Sequence, residues 1–223
     1  PFLLQLVRDR QQEGLLAVQD QSAQLAAEAL EINADMTVLD MCAAPGGKAA
    51  QLAACTPAFL ALLDVVPERL KPIEELLQRQ GLVGDNDVLH ACDATQALPD
   101  GLPLLFDAVL LDAPCSATGI IRRQPDIKWH RQVKDIDQLN TLQWRLLKNA
   151  WCYLKPGGRL MYSTCSVLKA ENERLIDSFL KQNSDACAID LGDRYGRVSG
   201  AGRQRFPGED DGDGFYYALL QKA

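Results

Sequence analysis

The stretch Thr37-Val38-Leu39-Asp40-Met41-Cys42-Ala43-Ala44-Pro45-Gly46-Gly47-Lys48 passes from a short apolar run, through an acid, into a loop of small residues. A strand that ends on an acid and turns tightly into a helix is the opening unit of a mostly parallel α/β sheet. Its small residues let backbone approach a ligand closely. The loop is not GxGxxG. Nor is it a phosphate-binding P-loop, because Ala49 rather than Ser or Thr follows Lys48. Taken alone, a helix start that needs glycine only for packing is the plainer alternative.

The same grammar repeats on both sides of this stretch. Upstream, Ala23, Ala26, Ala27 and Leu30 share one face of a helix over Gln21 to Glu31, with Asp20 as its cap. Downstream, Phe59 to Leu63 reads as a strand ending on Asp64, Val88 to His90 as one leading to Asp93, and Ala108 to Leu111 as one ending on Asp112. A helix is expected from Pro67 to Gly81, with Pro72 forcing a kink or a later start. A longer one fits Ile136 to Leu154, opened by a capping box of Asp135 and Gln138. Lys155 to Gly158 reads as a turn, Leu160 to Tyr162 as a strand running into Ser163-Thr164-Cys165-Ser166, and Glu171 to Lys181 as a helix. Gly192 to Gly214 reads as loop and Phe215 to Leu220 as a terminal strand. Residues 1–18 read as a lead-in from an upstream region, and 19–223 as one catalytic-sized domain.

In open α/β sheets ligands bind beyond the carboxyl ends of the strands. That edge gathers Asp40, Asp64, Asp93 and Asp112, an acid after each of four successive strands. A single Asp there is usually a turn former; four in series point to a ligand. Asp64 follows Asp40 by 24 residues, about the spacing at which an acid meets ribose hydroxyls. Together with a loop unsuited to a large phosphate group, this favours an adenosine ligand, S-adenosylmethionine.

Composition sets the frame. The 223 residues are 47% hydrophobic and 24% charged, as in an ordinary globular protein, which excludes disordered, collagenous and coiled-coil classes. No run approaches the 18 apolar residues of a membrane span, so no membrane partner is expected. The net charge of −7 argues against nucleic-acid binding by bulk charge but not against a local basic groove. Seven cysteines without a CxxC pair, beside only His90 and His130, give no zinc spacing, and no metal is expected. An odd, unpaired set fits a reducing, cytoplasmic location.

Most of these thiols read as small apolar residues: Cys42 in the loop and Cys152 on the apolar side of a helix in particular, while Cys55, Cys92 and Cys187 have no supporting context. Cys115 and Cys165 differ. Asp112-Ala113-Pro114-Cys115 and Thr164-Cys165-Ser166 follow two strands and place two thiols at the functional edge, where both can face one substrate.

Three stretches, Asp40 to Lys48, Asp112-Ala113-Pro114-Cys115-Ser116 and Ser163-Thr164-Cys165-Ser166, occur in the order of the signature motifs of the RNA 5-methylcytosine methyltransferases, the Nop2/Sun group. The chain resembles that group from Val18 to Leu220. Cys115 to Gly119, Arg122-Arg123, Pro125 to Trp129 and Gly212 to Phe215 resemble its bacterial branch acting on 16S rRNA, although many relatives have Gly where Ala117 stands. Members of that branch carry an upstream helical RNA-binding domain, in keeping with a lead-in over 1–18. The resemblance implies a Rossmann-like class I S-adenosylmethionine-dependent fold with helices on both faces and an antiparallel C-terminal strand. It implies Cys165 as nucleophile on cytosine C6 and Cys115 as the thiol that assists release. The residues by themselves leave that order open, since in related DNA enzymes a Pro-Cys cysteine attacks. It also implies that Cys42, Ala43, Ala44, Pro45, Gly46, Gly47 and Lys48 meet the methionine part of the cofactor, Asp64 the ribose and Asp93 the adenine. Asp112 lines the same site and faces the base. Lys48 supports Asp112, holds the base or lowers a thiol pKa; a solvated first-turn lysine is the plainer alternative.

From Ile120 to Lys134 five basic residues stand against one acid, Asp126. Arg122, Arg123, Lys128 and Arg131 interleaved with Trp129 and His130 suit a single RNA strand, small-subunit rRNA being the expected partner of a monomeric enzyme. Trp129 packed into the core is the alternative for that residue. Arg203 and Arg205 extend the path, and Glu209 to Asp213 are expected to face water. Two other functions stand beside the leading one: the same reaction on tRNA or another rRNA site, and a non-catalytic RNA-binding module of ribosome assembly. A small-molecule methyltransferase would need neither thiol.

Overall fold

The computed structural model describes residues 2–223. In chain order the elements are α1 (Phe2–Gln12), α2 (Gln21–Glu28), β1 (Thr37–Asp40), α3 (Gly47–Ala54), β2 (Phe59–Asp64), α4 (Leu70–Gln80), β3 (Asp87–Ala91), β4 (Phe106–Asp112), α5 (Ile127–His130), α6 (Val133–Cys152), β5 (Leu154–Thr164), α7 (Glu173–Gln182), β6 (Ala186–Ile189), β7 (Arg197–Ser199), β8 (Gly202–Arg205) and β9 (Phe215–Lys222). The strands form one sheet in the order β3-β2-β1-β4-β5-β9-β8-β7, with β6 also paired to β9. Pairings among β1 to β5 are parallel, whereas β9 runs antiparallel to β5, β6 and β8. The expected Rossmann-like class I architecture is therefore present.

Side-chain alternation divides the core in two. Val38, Leu60, Leu62 and Leu110 point to one face, where Leu25 and Leu30 of the α2 segment, Leu52 of α3 and Ile73 and Leu77 of α4 cover them. Leu39, Ala61, Leu63, Val109 and Leu111 point to the other, under Leu147 and Trp151 of α6 and Ile176 and Phe179 of α7. Strands buried on both faces must be apolar at every position, which is why they read as continuous runs.

Asp20 caps α2 as expected, its Oδ1 accepting from the Ser22 N–H at 2.8 Å. Pro72 causes the later start: Pro67–Arg69 forms a single 3-10 turn and α4 begins at Leu70, so Pro72 falls in its first turn, where no N–H donor is needed. The helix closes on Gly81 at φ 65°.

Several boundaries differ. The cap of α6 is Gln132, whose N–H donates to Asp135 Oδ2 at 2.9 Å, so Asp135 sits inside the first turn rather than before it. Lys155 to Gly158, expected as a turn, lies within β5 as a bulge: the pairing with β4 shifts between Phe106 and Ala108, and Gly157 takes φ 77°. Gly192 to Gly214, expected as loop, contains the β7–β8 hairpin, and β6 was not foreseen. β7 and β8 read as polar, and β6 is a short Ala-Cys-Ala-Ile run without alternation; pairing to β9 and to each other holds them. Cys152, expected on an apolar face, is exposed at the end of α6; Leu146, Leu147, Ala150 and Trp151 form the buried side.

Candidate active site

β4 and β5 are adjacent and parallel, with Asp112 paired to Ser163, so the segments that follow them leave the sheet at one edge. This brings the Cys115 and Cys165 sulfurs to 3.5 Å. Cys115 is held well above the usual thiol range, first by its hydrogen bond with Cys165 and then by burial. Beside the sulfurs, Lys48 reaches from the first turn of α3 to place Nζ 2.7 Å from Asp112 Oδ2 and 5.1 Å from the centre of the Phe215 ring. Ser163 Oγ donates to Asp112 Oδ1 at 2.8 Å. Lys48 keeps only 11% of its side-chain exposure, so it is not a solvated lysine. Of the roles open to it, supporting Asp112 is the one this geometry displays.

Gly46 makes the turn into α3. It takes φ 106°, and a Cβ there would press on Ile73 at 3.2 Å. The loop before it is tied down by its own N–H groups: Cys42 donates to Asp40 Oδ1 at 3.3 Å, Ala43 to the Leu63 carbonyl at 2.8 Å, and Ala44 to Asp64 Oδ2 at 3.3 Å. Burial and the Asp40 charge push the Cys42 thiol well up, as suits a packing residue.

Two clefts open at this edge and meet at Cys42, Ala44, Asp112 and Cys165. The first, about 420 Å³, is lined by Asp64, Arg69, Cys92, Asp93, Pro114, Leu142 and Leu146. The second, about 490 Å³, runs past Asp20, Asp40, Pro45, Gly47, Lys48, Ile120, Arg123, Asp213 and Phe215. Both sizes suit small organic ligands. Asp64 is buried at the strand end, where Arg69 donates to it at 3.4 Å and to the Ala44 carbonyl at 3.1 Å. Asp93 stands exposed at the rim, its carboxyl held low by the N–H and hydroxyl of Thr95.

Asp40 supplies the test of whether a polar ligand fits. It is 1% exposed, and its Oδ2 is buried without a hydrogen-bond partner among the described residues. Burial, and next the charge of Asp112, push its carboxyl up to about 7. An acceptor left unpaired against a cleft is costly and suits a ligand bringing N–H or positive charge. The residues present therefore fit the amino-acid end of the expected cofactor. Arg69 and Cys92 were not singled out from sequence. Arg69 lies five residues past Asp64, in the first turn after an acid-ended strand, and that spacing was the available signal.

Beyond the clefts, Arg122, Arg123, Lys128, Trp129 and Arg131 are all exposed, and Trp129 at 77% is not a core residue. Three of the arginines are also anchored: Arg122 to the Gly212 carbonyl, Arg123 to both oxygens of Asp213, and Arg131 to the Ser116 carbonyl. Two expectations fail here. Arg203 and Arg205 do not extend the basic path; both are buried, Arg203 against Asp190 and Asp193 and Arg205 against Asp210. Asp213 does not face water but is 3% exposed under Arg123. In each case the charge is covered on folding and paired with an exposed partner of opposite sign, which a charge count along the chain does not register. Among the described residues, no group of three or more His, Cys, Asp or Glu side chains could hold a metal ion, and no helix is long and apolar enough to cross a membrane.

Comparison with known proteins places this geometry. A family model described as 16S rRNA methyltransferase RsmB/F matches residues 27–221. The chain is 54% identical over 215 residues to the ribosomal RNA small subunit methyltransferase B of Xanthomonas campestris, covering 95% of this chain and 48% of that protein. It is 46% identical over 214 residues to the protein of that name from Pseudomonas putida, covering 94% and 48%. It thus spans about half the length of the curated relatives it matches. Among solved structures, NSun6 from Pyrococcus horikoshii, determined with SFG, superposes at TM-score 0.85 with 29% identity, over 96% of this chain and 54% of that one. A methyltransferase homologue from the same organism superposes at TM-score 0.81 with 32% identity, over 96% and 70%. By the span of that match and the level of these identities, the chain belongs to the 16S rRNA methyltransferase RsmB/F family.

Proposed function

We propose that residues 19–223 form the catalytic domain of an S-adenosylmethionine-dependent RNA methyltransferase that methylates carbon 5 of a cytosine in 16S rRNA through a covalent Cys165–cytosine adduct. The observation that carries this reading is the pair of thiols 3.5 Å apart beside the Lys48–Asp112 pair. Methylation of an already nucleophilic atom needs neither thiol.

Carbon 5 of cytosine is a poor nucleophile. Addition of a thiolate to carbon 6 turns the ring into an enamine and makes carbon 5 nucleophilic, splitting one hard step into easier ones. Family resemblance gives Cys165 the attacking role; Cys115, held high, stays a thiol 3.5 Å from it. Asp112, oriented by Ser163 and Lys48, accepts from the exocyclic amine or the ring nitrogen and stabilises the charge that develops as sulfur adds. S-adenosylmethionine, when bound, supplies the electrophilic methyl group that carbon 5 takes up. The carbon 6–sulfur bond then breaks with its electrons leaving on the Cys165 sulfur; Cys115 gives its proton to that sulfur and, as the resulting thiolate, takes up the carbon 5 proton, which restores both the aromatic ring and the Cys115 thiol. For the cofactor, the Cys42–Lys48 loop and Asp40 would hold the methionine part, Asp64 the ribose, and Asp93 the adenine rim. A stacked cytosine must leave its stack to reach this edge. Lys128 and Trp129, exposed and without anchoring ion pairs, are the groups we assign to the incoming strand, with Arg122, Arg123 and Arg131 shaping the loop that carries them.

The test is incubation with tritiated S-adenosylmethionine and unmodified small-subunit rRNA. Wild type should label cytosine C5, Cys165→Ala should give no label, and Cys115→Ala should accumulate a protein–RNA adduct that survives denaturation. An adduct with Cys165→Ala instead would reverse the two roles. If neither label nor adduct appears once RNA binding is verified, the reading fails.

A further inference from the structure

Glu171 lies in the loop after β5 and is fully buried, yet none of its partners is basic. Four neutral donors satisfy its carboxylate. Oε1 accepts from the Ser116 N–H at 2.8 Å and Gln143 Nε2 at 3.0 Å; Oε2 accepts from Ser116 Oγ at 2.6 Å and Ser166 Oγ at 2.5 Å. Ser116 directly follows Cys115 and Ser166 directly follows Cys165. One carboxylate therefore bridges the residues next to both thiols, in loops that belong to different strands. Gln143, from α6, extends the bridge by also donating to the Pro114 carbonyl at 2.8 Å.

Burying a carboxylate without a cation is expensive unless every lone pair is used, and an apolar side chain would fill the space at lower cost. A carboxylate accepts on two oxygens at a fixed separation, and here each oxygen is hydrogen-bonded to the Cys115 loop while one also takes the Cys165 loop. We propose that Glu171 is a positioning residue for the methyl transfer, clamping the Cys115 and Cys165 loops so that the two sulfurs stay in contact. The inference rests on the reading above in taking these thiols as the reacting pair. Its structural content, the enforced sulfur–sulfur contact, does not depend on the substrate.

Two substitutions separate reach from charge. Glu171→Gln keeps the length and loses the charge: its carbonyl oxygen can take the two N–H donors while its amide donates to the two hydroxyls. Glu171→Asp keeps the charge and withdraws the carboxylate by one methylene, so that it cannot serve both loops. The first readout is the rate at which diamide forms the Cys115–Cys165 disulfide, followed by mass spectrometry of the joined peptides without RNA or methyl donor. The second is kcat and KM for RNA methylation. The clamp predicts that Gln stays near wild type on both. It predicts that Asp slows disulfide formation at least ~10-fold and lowers kcat roughly 100-fold with KM little changed, as expected for a displacement near 1 Å at a reacting group. If Glu171→Asp melts too low to assay, Ser166→Ala removes one arm of the bridge and should slow disulfide formation in the folded protein. A wild-type disulfide rate in Glu171→Asp, or equal damage from Gln and Asp, would overturn the proposal. If wild type forms the disulfide with the Gln–Asp contrast intact but methylates no RNA, the functional reading falls and the clamp stands.

Discussion

The buried carboxyl of Asp40 should make stability depend on pH in a way that a single substitution removes. Its pKa is 3.8 in an unfolded chain and about 7 in the fold, chiefly through burial and then through the charge of Asp112. Between those values the folded state holds more protons than the unfolded one, so this group's contribution to stability is fully present below pH 3.8 and is lost as pH rises through about 7. At 1.36 kcal/mol per unit, a shift of roughly three units is worth about 4 kcal/mol in all, of which about 2–3 kcal/mol falls between pH 5 and pH 8. Asp40→Asn keeps the size and cannot ionise. Urea denaturation of both proteins from pH 5 to 8.5 should therefore show the variant gaining about 2–3 kcal/mol relative to wild type across that range, then levelling off. Fixed differences in hydrogen bonding move the whole curve and leave its slope, and titrations common to both proteins cancel. A stability difference independent of pH between 5 and 8 would refute the claim that Asp40 is driven toward its neutral form.

Other substitutions probe the same edge. Lys48→Met removes the partner of Asp112 and should lower single-turnover methylation roughly 100-fold, the usual cost of losing one oriented charge at a reacting centre; near-normal rates would restore the solvated-lysine alternative. Gly119→Ala places a Cβ 2.0 Å from the Gly214 carbonyl, and thermal melting should show a loss of at least about 2 kcal/mol; an unchanged melting temperature would mean that the contact yields freely. Trp129→Ala changes a side chain that is 77% exposed. It should leave stability within about 0.5 kcal/mol and weaken single-stranded RNA binding by about 1–3 kcal/mol, the worth of one stacked base. Fluorescence anisotropy with a short oligonucleotide measures the second effect, and unaltered affinity would exclude Trp129 from the RNA path.

The parallel half of the sheet was legible from the chain because its information is local. β1 spans Thr37–Asp40 as read from the chain, Gly81 closes α4, and each of Asp40, Asp64 and Asp112 terminates a strand. The loop from Cys42 to Lys48 and the motifs around Cys115 and Cys165 were equally visible, since each is a run of a few consecutive residues. Tertiary structure decided whatever depends on a partner distant in sequence. The strands β6, β7 and β8 carry little apolar alternation and exist through pairing to β9 and to each other. Arg203, Arg205 and Asp213 look like solvated charges along the chain but are buried in the fold, each paired with an exposed partner, Asp190 and Asp193, Asp210, and Arg123 respectively. Lys48 reads as exposed until Asp112, 64 residues away, accepts its ammonium. The contact between the two sulfurs and the carboxylate bridging their loops join residues 50 and 55 positions apart. No periodicity encodes such distances. The chain by itself marked Cys115 and Cys165 as thiols that follow two strands; the adjacency of β4 and β5 determined that they meet, because parallel neighbours deliver the residues after them to the same edge.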